Sequence, residues 1–241
     1  MTRNPPLLLA LDTAGERSSA ALRLPDGRVV ETVERVGNRH AERLLDQVDA
    51  LLQEAGCRRR DIGLVAFGAG PGSFTGLRVA CGTAQGIAWA LQIETVPVNN
   101  LEACALRAAR SLSLPAGVRV AVLNDARMNE CYGSVYETTG EGLPAVRVEA
   151  ELVKPEEARA WVEASGATMV AGSAAGVYAE RMALLPEWTL FSETADAVDM
   201  LPLALEAWQA EKTVPAHLAA PLYVRDRVAL TAEERRRGEK L

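Results

Sequence analysis

Apolar positions recur along this chain with two periods. Leu7 to Leu11 is an unbroken apolar run closed by Asp12, which predicts a strand covered on both faces. Ser18 to Leu24 reads as a second strand and Arg28 to Arg35 as a third. Between them Pro25-Asp26-Gly27 is a turn in which proline presets φ and glycine accepts a positive one. The period then becomes helical: Ala41, Leu44, Leu45, Val48, Leu51, Leu52 and Ala55 form one stripe, and Glu42, Arg43, Asp46, Asp49 and Glu54 fill the opposite face. This predicts an amphipathic helix with Asn38 as N-cap and Gly56 as its stop. Ile62 to Phe67 is a strand, a glycine-rich loop follows, and Leu77, Ala80, Cys81, Ala84, Ile87, Ala88 and Leu91 mark a second helix. Glu94 to Val98 is again a strand. Asn99 and Glu102 have capping-box spacing and open a third helix toward Ser111.

The second half repeats this order. Val118 to Leu123, Tyr132 to Glu137 and Ala145 to Leu152 read as strands, Pro155 to Ala164 as a helix with proline in its first turn, and Thr168 to Ala171 as a strand. Ala174 to Leu185 is expected to be one helix, Thr189 to Phe191 a strand, and Asp196 to Ala210 a last helix in which Pro202 marks a kink or a later start. Each half thus runs β-β-β-α-β-α-β-α, and in each the first strand runs into an aspartate, Asp12 or Asp125. The expected fold is α/β, a duplicated actin-like (ASKHA, ribonuclease H-like) fold. Its two subdomains span 1–114 and 115–241, with the link at Leu114-Pro115-Ala116-Gly117. Arg225 to Leu241 carries six basic and four acidic residues, including Arg235-Arg236-Arg237, and reads as a solvated tail.

Composition narrows the function. With 241 residues, 49% hydrophobic and 24% charged, the chain has the makings of a globular protein. Its net charge of −6 disfavours avid nonspecific nucleic-acid binding, so an RNA role would need help. Four scattered cysteines without a CxxC pair exclude disulfide scaffolds and zinc ribbons and suggest a cytoplasmic protein with reduced thiols. No apolar run approaches a membrane span.

Gly70-Pro71-Gly72-Ser73-Phe74-Thr75-Gly76-Leu77-Arg78 lies between a strand and a helix. Gly70, Gly72, Ser73 and Thr75 make a candidate anion-binding loop, since glycines let amides approach an anion at a helix N-terminus. The alternative is a tight turn with Ser73 or Thr75 capping the helix. Neither the P-loop nor the dinucleotide glycine spacing is met. Asp12-Thr13-Ala14 stands where actin-like nucleotide enzymes begin a phosphate loop, or else merely closes a turn. Asp125 to Glu130 contains no glycine and is poorly suited to wrap a phosphate. His40 and His217 form no HxxxH or HExxH pair, and no metal site or GxSxG elbow is present. The second helix carries a further row, Val79, Gly82, Gly86 and Ala90, in addition to its larger stripe. This row must face either a neighbouring helix of the chain or a partner.

Leu9 to Ala14, Gly70 to Arg78, Val98 to Ala103 and Pro221-Leu222-Tyr223-Val224-Arg225 together resemble the bacterial TsaB family, also called YeaZ. The resemblance spans the chain, strongest from Leu7 to Arg107. It implies the actin-like fold and a place in the machinery that makes N6-threonylcarbamoyladenosine at position 37 of tRNAs reading ANN codons. In that machinery the transfer belongs to a paralogue, TsaD, whose metal site includes two histidines four residues apart. Asn100 and Cys104 stand at the corresponding places here. The resemblance therefore implies a noncatalytic scaffold subunit without a cofactor, binding a TsaD-like catalytic subunit and a TsaE-like ATPase. A homodimer in isolation is left open, and tRNA is reached through the complex. The competing readings are an autonomous ATP-using actin-like enzyme and a metalloprotease.

Overall fold

The computed structural model describes residues 4–37, 39–140, 142–225 and 236–237. Strands β1 (Leu7–Asp12), β2 (Arg17–Arg23), β3 (Val29–Arg35), β4 (Ile62–Gly70) and β5 (Glu94–Asn99) form the first sheet with helices α1 (His40–Ala55), α2 (Phe74–Leu91) and α3 (Asn100–Ser111). The second half holds β6 (Arg119–Asp125), β7 (Cys131–Glu137), β8 (Ala145–Val153), α4 (Pro155–Ser165), β9 (Met169–Ala171), α5 (Ala174–Val177), α6 (Ala179–Met182), β10 (Thr189–Phe191), α7 (Ala197–Gln209) and β11 (Val214–Pro215). The sheets run β11-β5-β4-β1-β2-β3 and β10-β9-β6-β7-β8. Apart from β11 the orders are the same. In each, three antiparallel strands are followed by two added in parallel on the other side of the first. This is the duplicated actin-like fold.

β1 is apolar throughout because both its faces are covered. Leu7, Leu9 and Leu11 pack with Leu44, Val48 and Leu51 of α1 and Ala80 and Ala84 of α2. Leu8 and Ala10 pack on the other side with Leu101 of α3 and Met200 of α7. Each fully buried leucine contributes about 1.5–3 kcal/mol relative to exposure. The second cluster also takes in Val120, Val122 and Tyr136 of the second sheet, so α3 and α7 lie in a core shared by both lobes. Although the cut at residue 114 separates the two sheets in the chain, α7 and β11 lie against the first sheet in space. Arg17 of β2 and Arg107 of α3 both grip Asp196 at the start of α7, at 2.9 and 2.5 Å, and Arg107 also reaches Glu193 and Asp199.

Several local expectations change. The residue before α1 is Arg39, without a side-chain cap, while Asn38 lies outside the described residues. Gly56 ends α1 in the left-handed region at φ 69°. Asn99 Oδ1 accepts from the amides of Leu101 and Glu102 as an N-cap should. The single helix expected over Ala174 to Leu185 is instead two four-residue turns parted at Tyr178, whose hydroxyl is committed to Asp125. α7 starts at Ala197 and runs on through Pro202, so the proline marks no later start. Of the basic tail, 226–235 and 238–241 lie outside the described residues.

Candidate functional site

The loop from Gly70 to Gly76 is packed against the turn that follows β1. Asn100 Nδ2 donates to Asp12 Oδ1 at 2.8 Å, and Gly70 N donates to Asn100 Oδ1 at 2.8 Å. Ser73 N donates to the Ala14 carbonyl at 2.8 Å, and Thr13 Oγ1 to the Gly76 carbonyl at 2.7 Å. These contacts bring two backbones within touching distance. A Cβ on Gly72 would lie 2.8 Å from Ala14 Cβ, and one on Gly76 would run into the Thr13 carbonyl oxygen. Ser73 Oγ accepts from Gly76 N and caps α2, while Thr75 is exposed in its first turn. Of the residues in the candidate anion loop, Gly70 and Ser73 have thus already committed their amides inside the chain, as has Gly76. Burial pushes the Asp12 carboxyl up to about 7, against the opposing effect of the Asn100 and Ala14 hydrogen bonds.

The equivalent place in the second lobe is built differently. Asp125 accepts from the Tyr178 hydroxyl and the Arg127 amide, each at 2.8 Å. Arg127, Met128 and Asn129 then all take positive φ, at 60°, 52° and 60°. Left-handed geometry costs about 1–2 kcal/mol for each non-glycine residue. Arg181 Nη1 holds Asn129 Oδ1 at 2.8 Å, and Arg225 Nη2 holds Glu130 Oε2 at 2.6 Å.

Asn100 and Cys104 lie on successive turns of α3, facing inward. The Asn100 amide is engaged at both ends, by Asp12 and by Gly70. Cys104 Sγ donates to the Glu193 carbonyl, and burial pushes its thiol up to about 12, so it stays neutral. Among the described residues no three His, Cys, Asp or Glu side chains are placed to hold a metal ion. His40 opens α1 and is buried, with its Nδ1 unpartnered, and burial lowers its pKa. His217 lies in a one-turn helix at 216–218. No helix among the described residues is long and apolar enough to cross a membrane.

The small-residue row of α2 lies on an open face. Leu77, Ala80, Cys81, Ala84 and Ala88 turn toward the sheet, with Ile87 and Leu91 half-buried at the edge of that stripe. Val79 is half-buried, whereas Gly82, Gly86 and Ala90 are exposed, and nothing stands within 4 Å of a Cβ placed on either glycine. Of the two coverings left open for this row, no helix among the described residues supplies the first. Trp89, 69% exposed, lies beside the row, with Phe74 at its N-terminal end and Leu45 exposed on neighbouring α1. Trp89 falls three residues after Gly86 and seven after Gly82, so its place on the face was legible from spacing.

The chain is 33% identical over 227 residues to the tRNA threonylcarbamoyladenosine biosynthesis protein TsaB of Escherichia coli K12, covering 92% of this chain and 96% of that protein. It belongs to the TsaB (YeaZ) family. The Haemophilus influenzae TsaB is 35% identical, with 92% and 94% covered. A solved structure of YeaZ from Pseudomonas aeruginosa matches with a TM-score of 0.81 at 39% identity, covering 91% of this chain and all of that one. A second Pseudomonas aeruginosa structure, described as similar to peptidase YeaZ, matches with a TM-score of 0.82 over 92% of this chain. The profile of the TsaD family, tRNA N6-adenosine threonylcarbamoyltransferase, matches residues 33–183. The matched span includes α1 and α2 but not α7 or the residues after it.

Proposed function

We propose that this chain is a noncatalytic docking subunit in tRNA threonylcarbamoyladenosine biosynthesis, presenting the outer face of α1 and α2 to a TsaD-like catalytic subunit. The observation that carries this reading is the open row of Val79, Gly82, Gly86 and Ala90 flanked by Trp89 and Phe74. Glycine costs about 1 kcal/mol relative to alanine inside a helix, a cost with no return on a solvated face. Two glycines four residues apart let a second helix backbone approach closely, and an exposed tryptophan beside them is a strong anchor. A stable contact there would bury about 1,200–2,000 Å² in total. A second copy would use the same face, so self-association and partner binding compete. A TsaE-like ATPase joins the assembly, and tRNA is reached through the complex in the cytoplasm. The chemistry of the interior agrees with this assignment. Asn100 and Cys104 offer an engaged amide and a neutral thiol where the catalytic paralogue carries histidines, and Gly70, Ser73 and Gly76 spend their amides on the chain itself.

Gly86→Arg tests the face. The substitution should leave the melting curve unchanged or slightly raised, because arginine is the better helix former and the space is open. It should abolish calorimetric binding to the TsaD-like subunit and, in a mixture with that subunit, TsaE, threonylcarbamoyl-adenylate and tRNA, the modification that depends on this chain. Undiminished binding by the folded variant would refute the docking face. Equal modification with this chain omitted would refute the scaffold role.

A further inference from the structure

Residues 219–225 cross from one lobe to the other. Gln85 Nε2 of α2 donates to the Ala219 carbonyl at 2.8 Å, and Leu222 N donates to the Ala69 carbonyl at 2.7 Å. The Leu222 carbonyl oxygen lies 2.6 Å from where a Cβ on Gly70 would stand, at φ +124°, so glycine at 70 is what lets this segment lie against the loop. Arg78 Nε donates to the Tyr223 hydroxyl at 3.2 Å, the Tyr223 and Phe74 rings are 6.1 Å apart, and the Arg78 guanidinium sits 3.5 Å over the Phe74 ring. Two residues later the chain reaches the second lobe. Arg225, with a side chain only 11% exposed, donates to Glu130 Oε2 at 2.6 Å, to the Arg127 carbonyl at 3.5 Å and to Met128 Sδ at 3.4 Å. The turn it grips is the one that carries three successive left-handed residues without a glycine.

We propose that residues 219–225 are a strap that couples the strained 127–129 turn of the second lobe to the first turn of α2, so that the state of that turn sets the affinity of the docking face. The strained turn is the element whose arrangement the strap would fix. It is left-handed while Arg225 holds it and relaxes when the strap lifts. Phe74 and Tyr223, 46% and 50% exposed, stand at the near end of the docking row, where a partner would press the strap down. By linkage, a partner that binds better with the strap down must also favour the held turn. The affinity part of this inference rests on the docking reading above; the mechanical part does not.

Arg225→Ala and Glu130→Gln break the pair from its two sides, and Gly86→Arg serves as the docking control. Amide hydrogen exchange in the full chain should quicken at 126–130 and also at 76–80, which neither substituted side chain touches. Calorimetric affinity for the TsaD-like subunit should weaken about 5-fold or more, the scale of ordinary site-to-site coupling. Quickening confined to 126–130 overturns the strap. So does unchanged affinity in both variants when Gly86→Arg abolishes docking. If Gly86→Arg docks normally, the docking reading fails alone, and the exchange pattern decides the strap: spread to 76–80 supports it and confinement overturns it. Should Arg225→Ala fail to fold, Glu130→Gln carries both measurements, since it leaves the strap's own residues in place.

Discussion

Asp12 and Asp125 close equivalent strands in two sheets of the same order, yet the turns that follow them are held by opposite means. After Asp12 the backbone is pressed directly onto another backbone. Gly72 and Gly76 lack the Cβ atoms that would hold Thr13 and Ala14 away from the loop before α2. After Asp125 no glycine is present, the backbone bends through three left-handed residues, and Tyr178, Arg181 and Arg225 tether it with side chains. One end is a backbone weld and the other a set of releasable ties. A weld transmits force rigidly and fails only with the fold, whereas ties at a partly exposed turn are broken one at a time.

The largest expected effect falls on the weld. Gly76→Ala drives a methyl group into the Thr13 carbonyl and should cost about 3 kcal/mol or more in urea unfolding. A loss under 1 kcal/mol, on the order of an ordinary surface change, would mean the two backbones are not in fixed contact.

A smaller effect concerns pH. The Asp12 carboxyl titrates near 7 in the folded chain against 3.8 ordinarily, so the folded state holds the extra proton across that interval. Its contribution to stability is complete below about pH 4 and is lost as pH rises toward 7. Asp12→Asn should remove that decline and flatten the stability curve across the window. Parallel stability curves for the two proteins would contradict this.

The smallest effect reverses the sign seen at Gly76. Met128→Gly relieves a left-handed residue at φ 52° and gains about 1 kcal/mol, partly offset by the greater freedom of glycine in the unfolded chain. Stability should hold or rise by up to about 1 kcal/mol in chemical unfolding. A clear loss would show that the Met128 contact with Arg225 outweighs the backbone strain.

The pattern of apolar residues by itself determined most of the elements. Leu7 to Asp12, the stripe of α1 and the doubled β-β-β-α-β-α-β-α order are local periodicities, and burying one face per period leaves the chain little choice. The row of Val79, Gly82, Gly86 and Ala90 was equally plain as a pattern, because small residues at helical spacing serve close packing. What covers that row was not in the pattern; the tertiary structure leaves both glycines facing open space among the described residues. The fold also decided that the Gly70 and Ser73 amides turn inward, since their acceptors, Asn100 and Ala14, come from other elements. It broke the helix expected over 174–185 by committing Tyr178 to Asp125, about fifty residues earlier in the chain. It returned α7, β11 and the strap to the first lobe, a placement no local signal encodes. Periodicity reports which face of an element is buried; what covers that face depends on long-range contacts, whose geometry exists only once the chain has closed on itself.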